Sequence, residues 1–138
     1  DSGPVADGSA FAPELSVDVE ELPLPPFDDL GRQASLGGLS DDVLARFRER
    51  AVPQPGPVLR EAVALSNDAR RGVPTTLVCC SISAAQVQEL VQAGHPMFAE
   101  VGTLTDVDII DVPTGHWPMW SRPRELADVI RAAAAKTA

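Results

Sequence analysis

The nine-residue run at 73–81, Val-Pro-Thr-Thr-Leu-Val-Cys-Cys-Ser, constrains the fold more than any other stretch of the sequence. It is almost wholly apolar and rich in β-branched residues, which predicts a strand that is buried on both faces. Ser83 follows as a helix N-cap, Gln86 completes a capping box, and Gly94 ends the predicted helix. The pattern therefore predicts a buried strand that runs directly into a helix.

A second strand and helix follow in the same order. Residues 106–112 form another extended apolar run, and Pro123 opens a final helix. The apolar face of that helix consists of Leu126, Val129, Ile130, Ala133 and Ala134. The order strand, helix, strand, helix predicts an α/β structure with a parallel pair of strands and a right-handed crossover. Residues 73–138 are assigned to this α/β part.

Residues 6–72 have a different character, because they contain dense prolines and no strand-like alternation. The prolines predict short helices joined by stiff loops. The clearest helix has Ser40 as its N-cap and Asp41 and Asp42 in its first turn, and it should end near Ala51. A weaker helix is predicted from about Val58 to Leu65. Such a segment would lie as a helical cap over the α/β part.

The loop at 112–123 contains the most specific functional pattern. His116 lies after the second predicted strand, at the carboxyl end, where α/β proteins place their chemistry. Gly115 is expected to provide a sharp turn before the imidazole. Trp117 and Trp120 supply apolar surface, with Trp117 predicted to line a substrate pocket and Trp120 to pack under the last helix. A histidine that only hydrogen-bonds within its loop is the alternative.

These residues resemble the histidine end of the α/β-hydrolase family: a strand, a Gly-His-x-Pro loop, Ser-Arg-Pro and a final amphipathic helix. The resemblance implies that His116 is the general base of a Ser-His-acid triad. The sequence has no G-x-S-x-G elbow, no oxyanion loop and no preceding strands. What it resembles is the carboxyl-terminal part of that fold, with residues 1–5 as a loop after a missing strand. The Asp-Ser-Gly-Pro start is accordingly expected to be a cut or a missing beginning.

The resemblance gives two places for the acid of the triad. The loop at 81–86 after the first predicted strand has no carboxylate, although family members often place the acid there. Other members place it after the preceding strand, and the matching residue would be Asp1. An Asp at this position would orient the His116 ring; alternatively, Asp1 simply begins a turn. Both interpretations remain open.

Composition excludes several classes of protein and partner. The chain has 20 acidic and 11 basic residues and a formal net charge of −9, which argues against nucleic acid and anionic membranes as partners. No apolar stretch approaches the length of a membrane span, and the Asp-Ser-Gly-Pro start does not have the pattern of a signal peptide. The two cysteines, Cys79 and Cys80, are adjacent in the buried run, which indicates reduced thiols in a cytoplasmic protein. The Cys and His spacings match no zinc site, and we expect no metal and no cofactor.

The leading hypothesis is that the chain is the cap and carboxyl-terminal part of an α/β-hydrolase that acts on an ester or related acyl substrate. Its partners would be that small-molecule substrate and the remaining amino-terminal part of the fold, which supplies the nucleophile. The same fold with an Asp nucleophile, as in a dehalogenase, would use the same histidine. The competing hypothesis is a non-catalytic domain or subunit that binds a partner through its sheet edge and cap.

Overall fold

The structure, a computed structural model, describes residue 8 and residues 10–136. Its helices and strands, in chain order, are β1 (Glu21–Leu22), α1 (Phe27–Gln33), α2 (Asp41–Arg50), β2 (Gln54–Pro55), α3 (Gly56–Arg60), β3 (Thr75–Cys79), α4 (Ala84–Gln92), β4 (Val107–Asp111), α5 (Pro118–Ser121) and α6 (Pro123–Lys136). Short 3-10 turns span Asp68–Gly72, Pro96–Phe98 and Val101–Thr103. The described part is thus a mixture of helix and sheet.

Strands β3 and β4 pair in parallel, as the sequence predicts. Thr75 lies opposite Val107, and the register continues to Cys79 opposite Asp111. Helix α4 and two of the 3-10 turns connect the strands, because a parallel pair needs a long crossover. Both strands are shorter than the apolar runs that predict them.

The ends of the helices follow the capping signals. The Ser83 hydroxyl accepts from the Gln86 N–H, and the Gln86 side chain accepts in return from the Ser83 N–H, so the predicted capping box is confirmed. Gly94 follows with a φ of 69°, a conformation that favours glycine. Ser40 caps α2, and the predicted last helix also begins at Pro123.

The hydrophobic core lies beside β3 and α4. Its buried members are Cys79, Val87, Phe98 and Val101, with Leu77, Ile82, Leu90 and Ile109 packed around them. Val87 is the most buried, with 1% of its surface exposed. Cys79 is buried as predicted, but Cys80 is only half-buried because it lies beyond the end of β3, and both thiols are free. The core therefore belongs wholly to the α/β part.

The proline-rich segment contains the predicted short helices and one feature that the sequence did not predict. β1 and β2 form a two-residue antiparallel pair, and Gly56 at the start of α3 donates to the Glu20 carbonyl at 2.7 Å. α3 ends at Arg60, well before Leu65, so the predicted helix to Leu65 was too long. The Arg60 guanidinium turns back to the Val19 carbonyl at 2.9 Å, which closes this part of the segment.

The predictions for residues 1–5 fall outside the described residues. Within the described part, the longest helix, α6, has 14 residues, and no helix is long and apolar enough to cross a bilayer.

Candidate functional site

His116 lies just past the carboxyl end of β4, on a loop that stays bonded to the neighbouring strand. The Val112 N–H donates to the Cys79 carbonyl at 2.8 Å, and the Thr114 N–H donates to the Cys80 carbonyl at 3.3 Å. These bonds carry the pairing of the two strands beyond the sheet. They bring the imidazole to the carboxyl edge, where the sequence placed it.

The proline-rich segment holds the other side of this loop. The Gly115 N–H donates to the Gly37 carbonyl at 3.0 Å, and the His116 N–H donates to the Ser35 carbonyl at 2.7 Å. The φ of Gly115 is not positive, so a left-handed conformation is not the reason for a glycine here. Glycine is needed here because an added Cβ would lie 2.5 Å from both the Gly37 and the Ser35 carbonyl oxygens. The backbone before His116 is thus in direct contact with the proline-rich segment.

Two hydroxyl groups link the beginning and the end of the same loop. The Thr114 and Ser121 oxygens lie 2.6 Å apart, and the Ser121 hydroxyl also lies within 3.2 Å of the Trp117 carbonyl. Gly38, with a φ of 83°, approaches this pair so closely that a Cβ would be 3.0 Å from each side chain. The hydroxyls therefore brace the loop, and Gly38 fits against them because it has no side chain.

An aromatic cluster of Phe27, Phe47, Trp117 and Trp120 joins the cap to the histidine loop. The Phe47 ring lies 5.1 Å from the Trp117 ring and 5.8 Å from the Trp120 ring. Trp117 in turn meets the His116 ring edge-on at 4.9 Å, a favourable arrangement for two aromatic rings. Phe27 extends the cluster, and the Arg48 guanidinium lies 4.2 Å above its ring. Helix α2 is in this way packed against the loop that carries His116.

A mainly apolar cavity of about 230 Å³ opens beside His116. Its wall consists of Leu77, Val78, Cys79, Cys80, Ile82, Val87, Phe98, His116, Pro118 and Met119. Trp117, predicted from the sequence to bind substrate, contacts the imidazole but is not part of this wall. Cys80 and Met119 are part of it, and the sequence offered no signal for either: one read as a buried strand residue and the other as a loop residue.

Burial sets the protonation of the groups in this cavity. It lowers the pKa of His116, which keeps the imidazole neutral at neutral pH. It raises the pKa of both thiols, and the negative charge of Asp111 adds to this effect for Cys79. A cysteine nucleophile activated by a histidine needs the opposite shifts. The cavity thus combines a neutral imidazole with thiols that stay protonated at neutral pH.

The carboxylates nearest in sequence to the site have other partners. Asp111 accepts from the Ala84 N–H at 2.7 Å, at the start of α4, so it does not pair with Arg122. Arg122 instead donates to Glu125 at 2.8 Å. Asp1, the predicted triad acid, lies outside the described residues. Its role stays a prediction.

The remaining charged and metal-ligating groups lie elsewhere. Glu100, which is 9% exposed, binds Arg70 at 2.8 Å and Arg71 at 3.4 Å, at the opposite, amino-terminal end of β3. His95 accepts from the Met97 N–H at 3.2 Å and so caps a 3-10 turn. Among the described residues, no three His, Cys, Asp or Glu side chains lie together as a metal site would require.

Comparisons with protein-family models, with curated proteins and with solved structures found no match for this chain. The functional argument therefore rests on the residues and geometry described above.

Proposed function

We propose that this chain is the cap and histidine-bearing part of an α/β-hydrolase fold, and that it supplies the general base for the hydrolysis of an ester or related acyl compound. The observation that carries the proposal is the setting of His116. Its imidazole lies in an apolar cavity at the carboxyl edge of a parallel pair, and burial lowers its pKa. A neutral imidazole held in place is what a general base needs.

The proposed reaction uses His116 twice. A serine hydroxyl from polypeptide outside these residues attacks the acyl carbon while the imidazole takes its proton, and the imidazolium then protonates the departing alkoxide. In the second half, His116 takes a proton from water as the water attacks the acyl-enzyme, and it returns that proton to the serine. The apolar wall of Leu77, Val78 and Ile82 would hold the acyl group.

The size of the cavity supports an incomplete site. Pockets for small molecules usually measure about 300–1,000 Å³, and this one measures about 230 Å³. The missing walls would come from the same polypeptide that brings the nucleophile. This expectation agrees with the parallel pair, since such strands are ordinarily flanked by further strands and covered on both faces.

The outer edge of β3 is the natural place for that polypeptide. The Thr75 N–H donates to the Asp106 carbonyl, and the Cys79 carbonyl accepts from the Val112 N–H, on either side of β4. Alternate residues of β3 therefore face β4. The backbone groups of Thr76 and Val78 point the other way, where no described strand pairs with them. An incoming strand would bind at this edge.

The same edge favours a second candidate function, a non-catalytic subunit that binds a partner by strand addition. A groove of about 470 Å³ between β3 and α6 is lined by Thr76 and Val78, and Val78 also lines the His116 cavity. The groove is also lined by Asp106 and Asp108 on the β4 side, so it lies between α6 and a face of the sheet. A strand of another protein would instead pair with the outer edge of β3, without any chemistry at His116.

Labelling in an extract of the native source separates these functions. The extract is treated with a fluorophosphonate probe, captured with an antibody to residues 40–51, and the mass of the captured species is measured. A labelled species well above the 14.6 kDa of this chain is expected. An unlabelled species of 14.6 kDa contradicts a polypeptide that carries its own catalytic serine and leaves a binding subunit or half of a split enzyme, whereas a larger unlabelled species points to an Asp nucleophile.

Substitution in the captured protein then tests the base. His116→Gln should lower kcat by about 10²- to 10⁴-fold, the usual contribution of a general base. His95→Gln is the control, because His95 caps a 3-10 turn and lies near the Phe98 ring but does not line the cavity. Equal activity of the two variants would refute the role of His116.

A further inference from the structure

Helix α2 carries two arginines that face a second cavity. Arg46 and Arg50 are one helical turn apart and lie on the same face as Val43. These three residues, with Met119 and Trp120, line a space of about 330 Å³. The third arginine of the helix, Arg48, is held over the Phe27 ring. One face of the cap helix thus presents two cations beside apolar surface.

Neither Arg46 nor Arg50 pairs with a carboxylate in the described part of the chain. The cations that do pair there are Arg32, Arg70, Arg71, Arg122, Arg131 and Lys136. Arg48, Arg60 and Arg124 also have no carboxylate partner there, but Arg48 lies over the Phe27 ring and Arg60 donates to the Val19 carbonyl. Acidic residues outnumber basic ones by 20 to 11. In such a chain, two guanidinium groups that share a cavity wall without a carboxylate are available to an external anion.

The second cavity adjoins the one at His116. Met119 lines both of them, and Trp120 and His116 lie on the same short loop and helix. Phe47, from the turn between Arg46 and Arg50, packs against both Trp117 and Trp120. An elongated molecule could therefore lie across the Met119 side chain, with one end at the guanidinium groups and the other at the imidazole.

We propose that Arg46 and Arg50 bind the anionic end of the substrate, a carboxylate or a phosphate, and that the apolar body of the substrate lies over Met119 and Trp120. Guanidinium groups suit both anions because their donors match two oxygens at once. The net charge of −9 would otherwise repel such a substrate, so a local pair of cations is needed to attract it. The assignment of this ligand as substrate rests on the proposed function; the binding of the anion does not.

Binding to the chain itself is the test, since it needs no turnover. Octanoate and octyl phosphate are titrated into the protein, with 1-octanol as the neutral probe, and the indole N–H signals are followed by NMR. The two anions should bind saturably and shift the Trp120 signal, and 1-octanol should bind at least about tenfold more weakly, given the usual strength of a charge-assisted bond. The tighter of the two anions identifies carboxylate or phosphate as the preferred group.

A pair of double variants isolates the arginines. Arg46→Gln with Arg50→Gln should weaken octanoate and octyl phosphate by about tenfold or more while leaving 1-octanol unchanged. Arg124→Gln with Arg131→Gln makes the same change in net charge on α6 and should have little effect. Both pairs are exposed, so a thermal melt should show that each variant remains folded.

The outcomes separate this proposal from the hydrolase itself. Equal binding of anions and 1-octanol, equal weakening by both double variants, or no saturable binding at millimolar octanoate would each overturn the anion site. None of these results affects probe labelling of the parent protein. Conversely, an anion site in a chain whose parent is not labelled would keep the ligand and remove its role as a substrate.

Discussion

The α/β part and the proline-rich segment are held together in different ways. Residues 73–136 contain all the buried hydrophobic side chains of the described chain, namely Cys79, Val87, Phe98, Val101 and Val112. Within residues 10–72 only Gly56 is buried. The α/β part has its own core, whereas the proline-rich segment depends on backbone bonds and ring contacts with the histidine loop. The cap should therefore be the less stable region, and its docking should control the position of His116.

Among the variants that test this difference, Gly115→Ala should cause the largest loss of stability. The new Cβ would meet carbonyl oxygens of Ser35 and Gly37, and backbone atoms cannot move aside as a flexible side chain can. We expect a loss of about 3 kcal/mol or more, as for other forced overpacking. Urea unfolding measures it. Gly72→Ala is the control, because its Cβ would find only Thr105 Oγ1, at 3.9 Å; equal losses would mean that the close contact with the cap is not formed.

A second test compares one side chain from each region. Val87→Ala opens a cavity in the core, and Phe47→Ala removes the ring that contacts both tryptophans. Each should cost about 2–3 kcal/mol. Hydrogen exchange should show Phe47→Ala loosening residues 10–72 while β3 and α4 stay protected. Val87→Ala should loosen both regions. The comparison fails if Phe47→Ala exposes β3 to the same extent.

The N-cap serines of α4 and α2 allow a comparison of the same substitution in the two regions, with a smaller expected loss of stability. Ser83 takes part in a reciprocal capping box, while Ser40 accepts a single bond from Val43 at 3.4 Å. Ser83→Ala should cost about 1 kcal/mol, and Ser40→Ala should cost less, because it removes one longer bond. Thermal melts of the two variants measure the difference. A larger loss for Ser40→Ala would show that the proline-rich segment contributes more to stability than its low burial indicates.

The smallest expected effect is the change in the free energy of unfolding at acid pH. Because burial lowers the pKa of His116 in the folded state, the unfolded chain binds its proton first as the pH falls below the ordinary value of 6.5. The free energy of unfolding should therefore decrease from pH 6.5 downward, and it should be unaffected by this group above that value. His116→Gln should remove that part of the slope in urea titrations between pH 7 and pH 5. An unchanged slope would mean that the imidazole is not desolvated.

The sequence predicted the local structure better than the long-range contacts. Ser83, Gln86 and Gly94 act within one helix, so their signals could be interpreted without knowing the rest of the fold. The β1 and β2 pair could not be predicted, because strands of two residues have no periodicity. α3 stops at Arg60 because Glu61 adopts an extended conformation, and no glycine or proline follows directly to mark that end in the sequence.

In the candidate site, too, the local features were predicted and the long-range contacts were not. His116 and its place after a strand followed from the order of elements. Gly115 was singled out for a turn, but its close contact with Ser35 and Gly37 could not be predicted, because it joins residues about 80 positions apart. Cys80 and Met119 enter the cavity through the bend of the chain beyond β3 and β4, which depends on tertiary packing. Such positions become visible only when the backbone path is known.

The two backbone bonds from Ser35 and Gly37 also determine how this chain can be engineered. The proline-rich segment is a natural part to exchange for another sequence, because it lines the space beside Met119 and Trp120. The replacement would also have to present two carbonyl oxygens at the positions that Gly115 and His116 now bond. A chimera should therefore exchange residues 35–38 and 114–121 together, or retain both, so that the inherited loop keeps its support.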